Sequence, residues 1–225
     1  MSFSLHGIGV SRGIAIGRAV CLDAGHDDIT HRTIDVLERG AEQDRFVRAI
    51  ATVRAEFTHL KLHVPQGAPS ELRALLDVHA MILDDPLLTS ETLMLISQRG
   101  MNAEWALAET ADDLAEQFDA MEDTYLRERK HDVLQVVARV RKALAGGDAP
   151  RLHGRGDAAR ILIASDLSPA DMLHYRHDDP TQAPIAAFCT EFGGRTSHTA
   201  ILARSMDVPS VVGISEAMER IVDDD

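Results

Sequence analysis

Gly193-Gly194-Arg195-Thr196-Ser197-His198 runs a glycine pair, a cation and two hydroxyls into a histidine, and Thr199-Ala200-Ile201-Leu202-Ala203-Arg204 then continues as a small-residue helix. Glycines let backbone N–H groups approach an anion closely, hydroxyls cap a helix start, and the helix N-terminus adds positive potential. The expected occupant is an oxyanion. A neutral imidazole beside it is a nucleophile for phosphorus, so His198 reads as a phosphoryl acceptor. In-line transfer needs an unprotonated nitrogen and neutralised phosphoryl oxygens. That assigns Arg195 and the neighbouring N–H groups to charge stabilisation and Thr196 to orienting the histidine, with Gly193, Gly194 and Ser197 forming the phosphate cradle. The potential of a helix N-terminus also disfavours the imidazolium, which keeps His198 reactive near neutral pH.

Such a turn needs a strand before it and a helix after it. Ile185 to Cys189 is an apolar run of strand length, and Pro209 to Gly213 supplies the next strand, so strand, glycine turn, helix and strand make a βαβ-type unit with His198 at the carboxyl end of its first strand. Arg160 to Ala164 is a further strand, with Ser168-Pro169 opening a short helix through Leu173. Near the start, Gly7 to Val10 and Ile14 to Leu22 read as two more strands around Arg12-Gly13.

Between these β-rich ends the period becomes helical. Asp35 with Glu38 fits a capping box, and Phe46, Ile50, Val53, Phe57 and Leu60 place one apolar stripe on a long helix that stops near Pro65-Gln66-Gly67. Ser70 caps a second helix with Leu72, Leu75, Leu76, His79, Ile82 and Leu83 inward or at an edge. Asp85-Pro86 starts a third that ends at Gly100, Asn102 opens the next with Leu107, Ala111, Leu114 and Phe118, and Leu126 through Leu144 forms the last, closed by Gly146-Gly147. The fold class expected is therefore α/β, a discontinuous domain of residues 1–28 and 148–225 with an all-α bundle of two helical hairpins, residues 29–147, inserted.

A net charge of −13 opposes nucleic acid and anionic membranes as partners. Thirteen Asp and Glu against two Arg fall between Glu71 and Asp123, an acidic stretch suited to a basic partner. No apolar run reaches membrane-spanning length and the first residues lack signal-peptide features, so a cytoplasmic protein is expected, with Cys21 and Cys189 reduced. His59 and His63 have zinc-like spacing but no third ligand nearby, and neither Gly7-x-Gly9 nor Gly13-x-x-x-Gly17 ends as a nucleotide loop. We therefore expect neither a metal nor a nucleotide cofactor within these residues.

The string GGRTSHTAILAR closely resembles the active-site signature of enzyme I of the bacterial phosphotransferase system, and the likeness extends from Gly7-Ile8-Gly9-Val10-Ser11-Arg12-Gly13-Ile14-Ala15-Ile16-Gly17 to Val208-Pro209-Ser210-Val211-Val212-Gly213. The resemblance implies a swivelling phosphohistidine α/β domain carrying a helical docking subdomain. It implies that phosphoenolpyruvate (PEP) is the ultimate donor and the histidine phosphocarrier HPr the acceptor, in the first step of sugar uptake. It places carrier contacts at Ala74, Met81, Ile82, Leu88, Phe118, Tyr125 and Leu126, with His79 beside them, and polar contacts at Asp77, Asp85 and Arg129. Leu72, Arg73 and Leu87 stand where the family carries charged residues, and Met172 where a Thr commonly neighbours the active histidine. It further implies a C-terminal barrel domain that binds PEP with Mg²⁺ and makes the dimer, so residues 1–225 alone are expected to be monomeric and inert toward PEP. A nitrogen-regulatory enzyme I paralogue, a multidomain phosphoryl-transfer fusion, and a non-catalytic docking module for a basic carrier are the alternatives.

Overall fold

The computed structural model describes residues 3–22, 30–64, 70–123, 126–127, 129–146, 159–168, 171–172, 185–195 and 197–223, with the backbone alone at His63, Glu71 and His198. The chain divides into two compact units, residues 1–26, 64–72 and 150–225 in one and 27–63 and 73–149 in the other.

The first unit is built on a five-stranded sheet of β1 (Ile8–Ser11), β2 (Arg18–Leu22), β3 (Arg160–Ala164), β4 (Ile185–Thr190) and β5 (Ser210–Val212), ordered β1-β5-β4-β3-β2. Strands β2 to β5 are parallel and β1 is antiparallel at the edge. The expectation of a strand over all of Ile14 to Leu22 is corrected. Ile14 and Ile16 lie in an irregular crossing, because β1 and β2 occupy opposite edges of the sheet and residues 12–17 must pass between them. Gly13, at φ 131°, makes that crossing against Pro209, whose Cγ would lie 2.6 Å from a side chain there.

Helix α6 (His198–Ser205) connects β4 to β5, and the four-residue α7 (Ala217–Arg220) follows β5. Neighbouring residues of β5 serve opposite faces of the sheet, as a strand period of two requires. Val212 packs with Val10 and Ala200 of α6, and Val211 with Ile163, Ile214 and Ala217. Cys21 and Cys189 stand in register on either side of Ile163, with no disulfide between them. Burial pushes the Cys189 thiol pKa up.

The second unit is built of helices α1 (Arg39–His63), α3 (Pro86–Met94), α4 (Ala103–Asp119) and α5 (Lys130–Leu144), with α2 (Ser70–Leu83) entering it from Arg73 onward. Every residue of the α1 stripe is buried, as are Val133, Val136, Val137, Val140 and Leu144 of α5. Asp35 and Glu38 make the expected local bonds, Asp35 N–H donating to Glu38 Oε2 at 3.2 Å, yet residues 36–38 are a turn and the helix begins at Arg39. Helix α3 passes into one π-helical turn, Leu95–Arg99, which ends at Gly100 in the left-handed conformation with φ 66°. The Pro65-Gln66-Gly67 stop and Gly147 lie outside the described residues. No described helix is long and apolar enough to cross a membrane.

Candidate phosphoryl-transfer site and helical docking face

Strand β4 ends at Thr190, whose hydroxyl donates to the Phe192 carbonyl at 2.6 Å and starts the chain turning. The turn is held to its neighbours through the main chain. Glu191 and Phe192 donate to the carbonyls of Ala164 and Ser165 at the end of β3, and Ile214 donates back to Thr190. Gly193 has φ 109°, a conformation that L side chains rarely adopt, and a Cβ there would lie 3.2 Å from Ser197 Oγ. The first glycine of the pair is thus demanded by backbone geometry and by close approach. Gly194 accepts from Ser197 N–H at 3.1 Å, which closes the turn.

Ser197 is the N-cap of α6, its backbone extended and its Oγ accepting the Ala200 N–H at 3.2 Å. His198 occupies the first helical position, where main-chain N–H groups have no intrahelical acceptor and the positive end of the helix is nearest. Thr196 lies outside the described residues. Arg195, expected to stabilise charge, is exposed.

Two anchors of this turn went unassigned in the sequence. Thr199, 1% exposed, donates its hydroxyl to the Leu167 carbonyl at 3.0 Å and approaches Asp166 Oδ1 at 3.3 Å. It thereby ties the first turn of α6 to the loop after β3. Arg204, one helix length further on, turns Nη1 back onto the Arg195 carbonyl at 3.1 Å. Its signal was present as the last residue of the twelve-residue string, but only the fold brings it to the front of its own helix. Met172 is fully buried, so the position expected to neighbour the histidine is filled by core packing. In the same loop Ser168 and Asp171 form a reciprocal cap, Asp171 N–H donating to Ser168 Oγ at 3.1 Å and Ser168 N–H to Asp171 Oδ2 at 3.2 Å. The rest of the helix expected through Leu173 lies outside the described residues.

The positions assigned to carrier contact separate into two groups. Ala74, Asp77, Met81, Asp85 and Leu126 are exposed, Met81 at 72% and Leu126 at 42%, while Ile82, Phe118 and Arg129 are half-buried. His79 at 1% and Leu88 at 0% correct the expectation: each falls on the inward side of its helix, where it fills the bundle instead of meeting a partner. Phe57 of α1 packs on His79 at 5.9 Å between ring centroids. Asp77 pairs with Lys61, and Asp85 spends Oδ1 on the Leu87 N–H at 2.8 Å as the N-cap of α3. Tyr125 lies outside the described residues. The sequence missed a groove between α3 and α4, lined by Leu87, Met94 and Leu114 together with Glu91, Glu109 and Asp113.

Among the described residues no group of three or more His, Cys, Asp or Glu is arranged to hold a metal ion.

Comparison with known proteins places the chain in a family. The family described as PEP-utilising enzyme, N-terminal, matches residues 6–129, and the mobile domain of PEP-utilising enzymes matches residues 156–225. Phosphoenolpyruvate-protein phosphotransferase of Cupriavidus necator is 50% identical across the whole chain, and that of Bacillus subtilis is 34% identical over 95% of it. The chain spans 39% and 36% of the lengths of these two relatives. A solution structure of Enzyme I aligns with 99% of the chain and 87% of its own, at a TM-score of 0.70 and 27% identity.

Proposed function

The chain belongs to the PEP-utilising enzymes, and from that premise we propose that it is the phosphoryl-relay part of a phosphoenolpyruvate–protein phosphotransferase. In this reading His198 takes a phosphoryl group that originates from PEP and passes it to a histidine of an HPr-type carrier. The observation that carries the reading is the main-chain-bonded turn at Gly193 and Gly194 that delivers His198 to the first position of a capped helix at the carboxyl end of a parallel strand.

A nitrogen lone pair of His198 attacks phosphorus, an N–P bond forms, and the bond from phosphorus to its leaving atom breaks in line. Arg195 and the N–H groups at the start of α6 meet the charge on the equatorial oxygens. Return transfer reverses the step, with the carrier imidazole attacking and His198 leaving. PEP and Mg²⁺ are handled outside residues 1–225, and the acidic helical unit receives the basic carrier. The carrier that gains label from the phosphorylated protein separates the sugar-uptake branch from the nitrogen-regulatory alternative.

The test uses radiolabelled, phosphorylated HPr as donor. His198→Ala should accept less than about a thousandth of the wild-type label at an unchanged melting temperature, since the nucleophile is lost while the position opens a helix. Base-stable, acid-labile label persisting in that variant would show that another residue is the acceptor.

A further inference from the structure

We propose that Asp132 is a positioning residue for carrier docking, a buried carboxylate that holds Arg129 preorganised at the surface of the helical unit. The proposal rests on the reading that this unit docks the carrier. Asp132 lies in the first turn of α5 and is 1% exposed, while Arg129 just before that helix keeps 29% of its side chain exposed. Arg129 Nη1 donates to Asp132 Oδ2 at 2.8 Å. One end of the pair is thus interior and the other reaches solvent.

A buried carboxylate is costly unless charge and hydrogen bonds compensate it. Here the helix N-terminus and a charge-assisted guanidinium bond both do so. The wall behind the pair is His79, whose Nε2 stands 3.9 Å from Asp132 Oδ1, beyond hydrogen-bond reach, with its ring against Phe57. The residue that the family resemblance sends to the partner instead backs the carboxylate that orients one which does reach the surface. That gives His79 a place in docking without contact.

An arginine anchored at one end loses less freedom on binding than one waving in solvent. Its neighbour Lys130 is drawn to Asp119 at 2.5 Å. Arg129 is accordingly a fixed cation beside the acidic stretch from Glu71 to Asp123, and the partner chemistry it selects is an acceptor, a carboxylate or a main-chain carbonyl, set within a basic surface.

The experiment is a double-mutant cycle on the full 225-residue chain with purified HPr as the probe, reading dissociation constants by calorimetry and phosphoryl transfer kinetics. Arg129→Gln and Asp132→Asn should each weaken HPr binding about tenfold, and the double variant should be no weaker than about twice the worse single one. KM for HPr should rise in each while the maximal transfer rate stays the same, a split that general destabilisation would not produce. A hundredfold loss in the double variant, or wild-type affinity in Asp132→Asn beside a weakened Arg129→Gln, would overturn the proposal alone. Wild-type affinity in Arg129→Gln would overturn the docking role of Arg129 as well. Should Asp132→Asn fail to fold, Arg129→Lys leaves the carboxylate paired with a cation but removes the guanidinium fork. It should weaken HPr about threefold, and unchanged binding there would count against positioning.

Discussion

In the α/β unit, the turn that delivers His198 is held by bonds to main-chain carbonyls, those from the Thr199 and Arg204 side chains included, by one positive-φ glycine and by a short cap. In the helical unit, the packing is tied by charged side chains. At the centre of the latter, Arg45 of α1 donates to Glu42 at 2.7 and 3.0 Å, to Glu104 of α4 at 2.6 and 2.7 Å, and to the Leu144 carbonyl at the end of α5 at 3.1 Å. Glu42 also accepts the Ala103 N–H at 2.7 Å, capping α4 from another helix. A single guanidinium thus joins three helices, which short loops alone would leave free to slide. Phosphoryl chemistry needs fixed N–H groups, and a docking face needs only that its helices keep register. Under the proposed function the two units would meet those demands with different bonds.

The sharpest way to break this contrast is Arg45→Met, which leaves Glu42 buried and Glu104 half-buried without their cation. We expect a loss of about 2 kcal/mol, below the range for a fully buried pair because Arg45 is itself about a third exposed. Urea unfolding followed through Trp105, the single tryptophan and a residue of α4, reads this unit directly. A pH series adds the sign. Burial raises the Glu42 and Glu104 pKa values, but hydrogen bonds and charge from Arg45, with the Ala103 N–H on Glu42, outweigh it and hold both below the ordinary value. Their stabilisation is complete above the unfolded carboxylate pKa of about 4.3 and is lost as pH falls through the lower folded values. Wild type should weaken over that acid range and Arg45→Met should weaken less. Parallel pH curves would show that the charges are not what ties the helices.

On the α/β side the matching lesion is Gly193→Ala, which forces a side chain into φ 109° beside Ser197 Oγ. The expected cost is about 1–2 kcal/mol of stability, with a larger fractional loss in phosphoryl acceptance because the turn presents the nucleophile. Label transfer from phosphorylated HPr, normalised to folded protein, checks it. Unchanged transfer would mean that the α6 N-terminus does not depend on the turn geometry.

The same contrast explains what was legible in the sequence. Residues 193–204 act on one another locally, so their order along the chain nearly is their geometry. Only the return of Arg204 to the Arg195 carbonyl and the tie of Thr199 to Leu167 required the fold. The docking candidates are spread over α2, α3, α4 and α5, and whether each faces out depends on helix rotation that a 3.6-residue period fixes only coarsely. His79 and Leu88 turned inward for that reason, while Met81, two residues from His79, is exposed. The π-turn at Leu95–Arg99 left no period to read, since one extra residue per turn is invisible in a run of five.

The smallest expected effect belongs to Met81, and it sharpens the comparison most because it touches neither unit's internal bonds. Its side chain is 72% exposed on α2, so Met81→Ala removes little packing and should leave the Trp105 unfolding curve where it is. A thioether on a docking face contributes short-range contact, which forms after encounter, so the loss should appear as a rise of about fivefold in the HPr off-rate at a nearly constant on-rate. Raising salt should do the reverse, slowing association through screening of the acidic stretch while leaving dissociation nearly unchanged. Stopped-flow mixing of HPr with both proteins at two ionic strengths separates the terms. An on-rate indifferent to salt, together with an off-rate indifferent to Met81, would move the carrier away from this helical face.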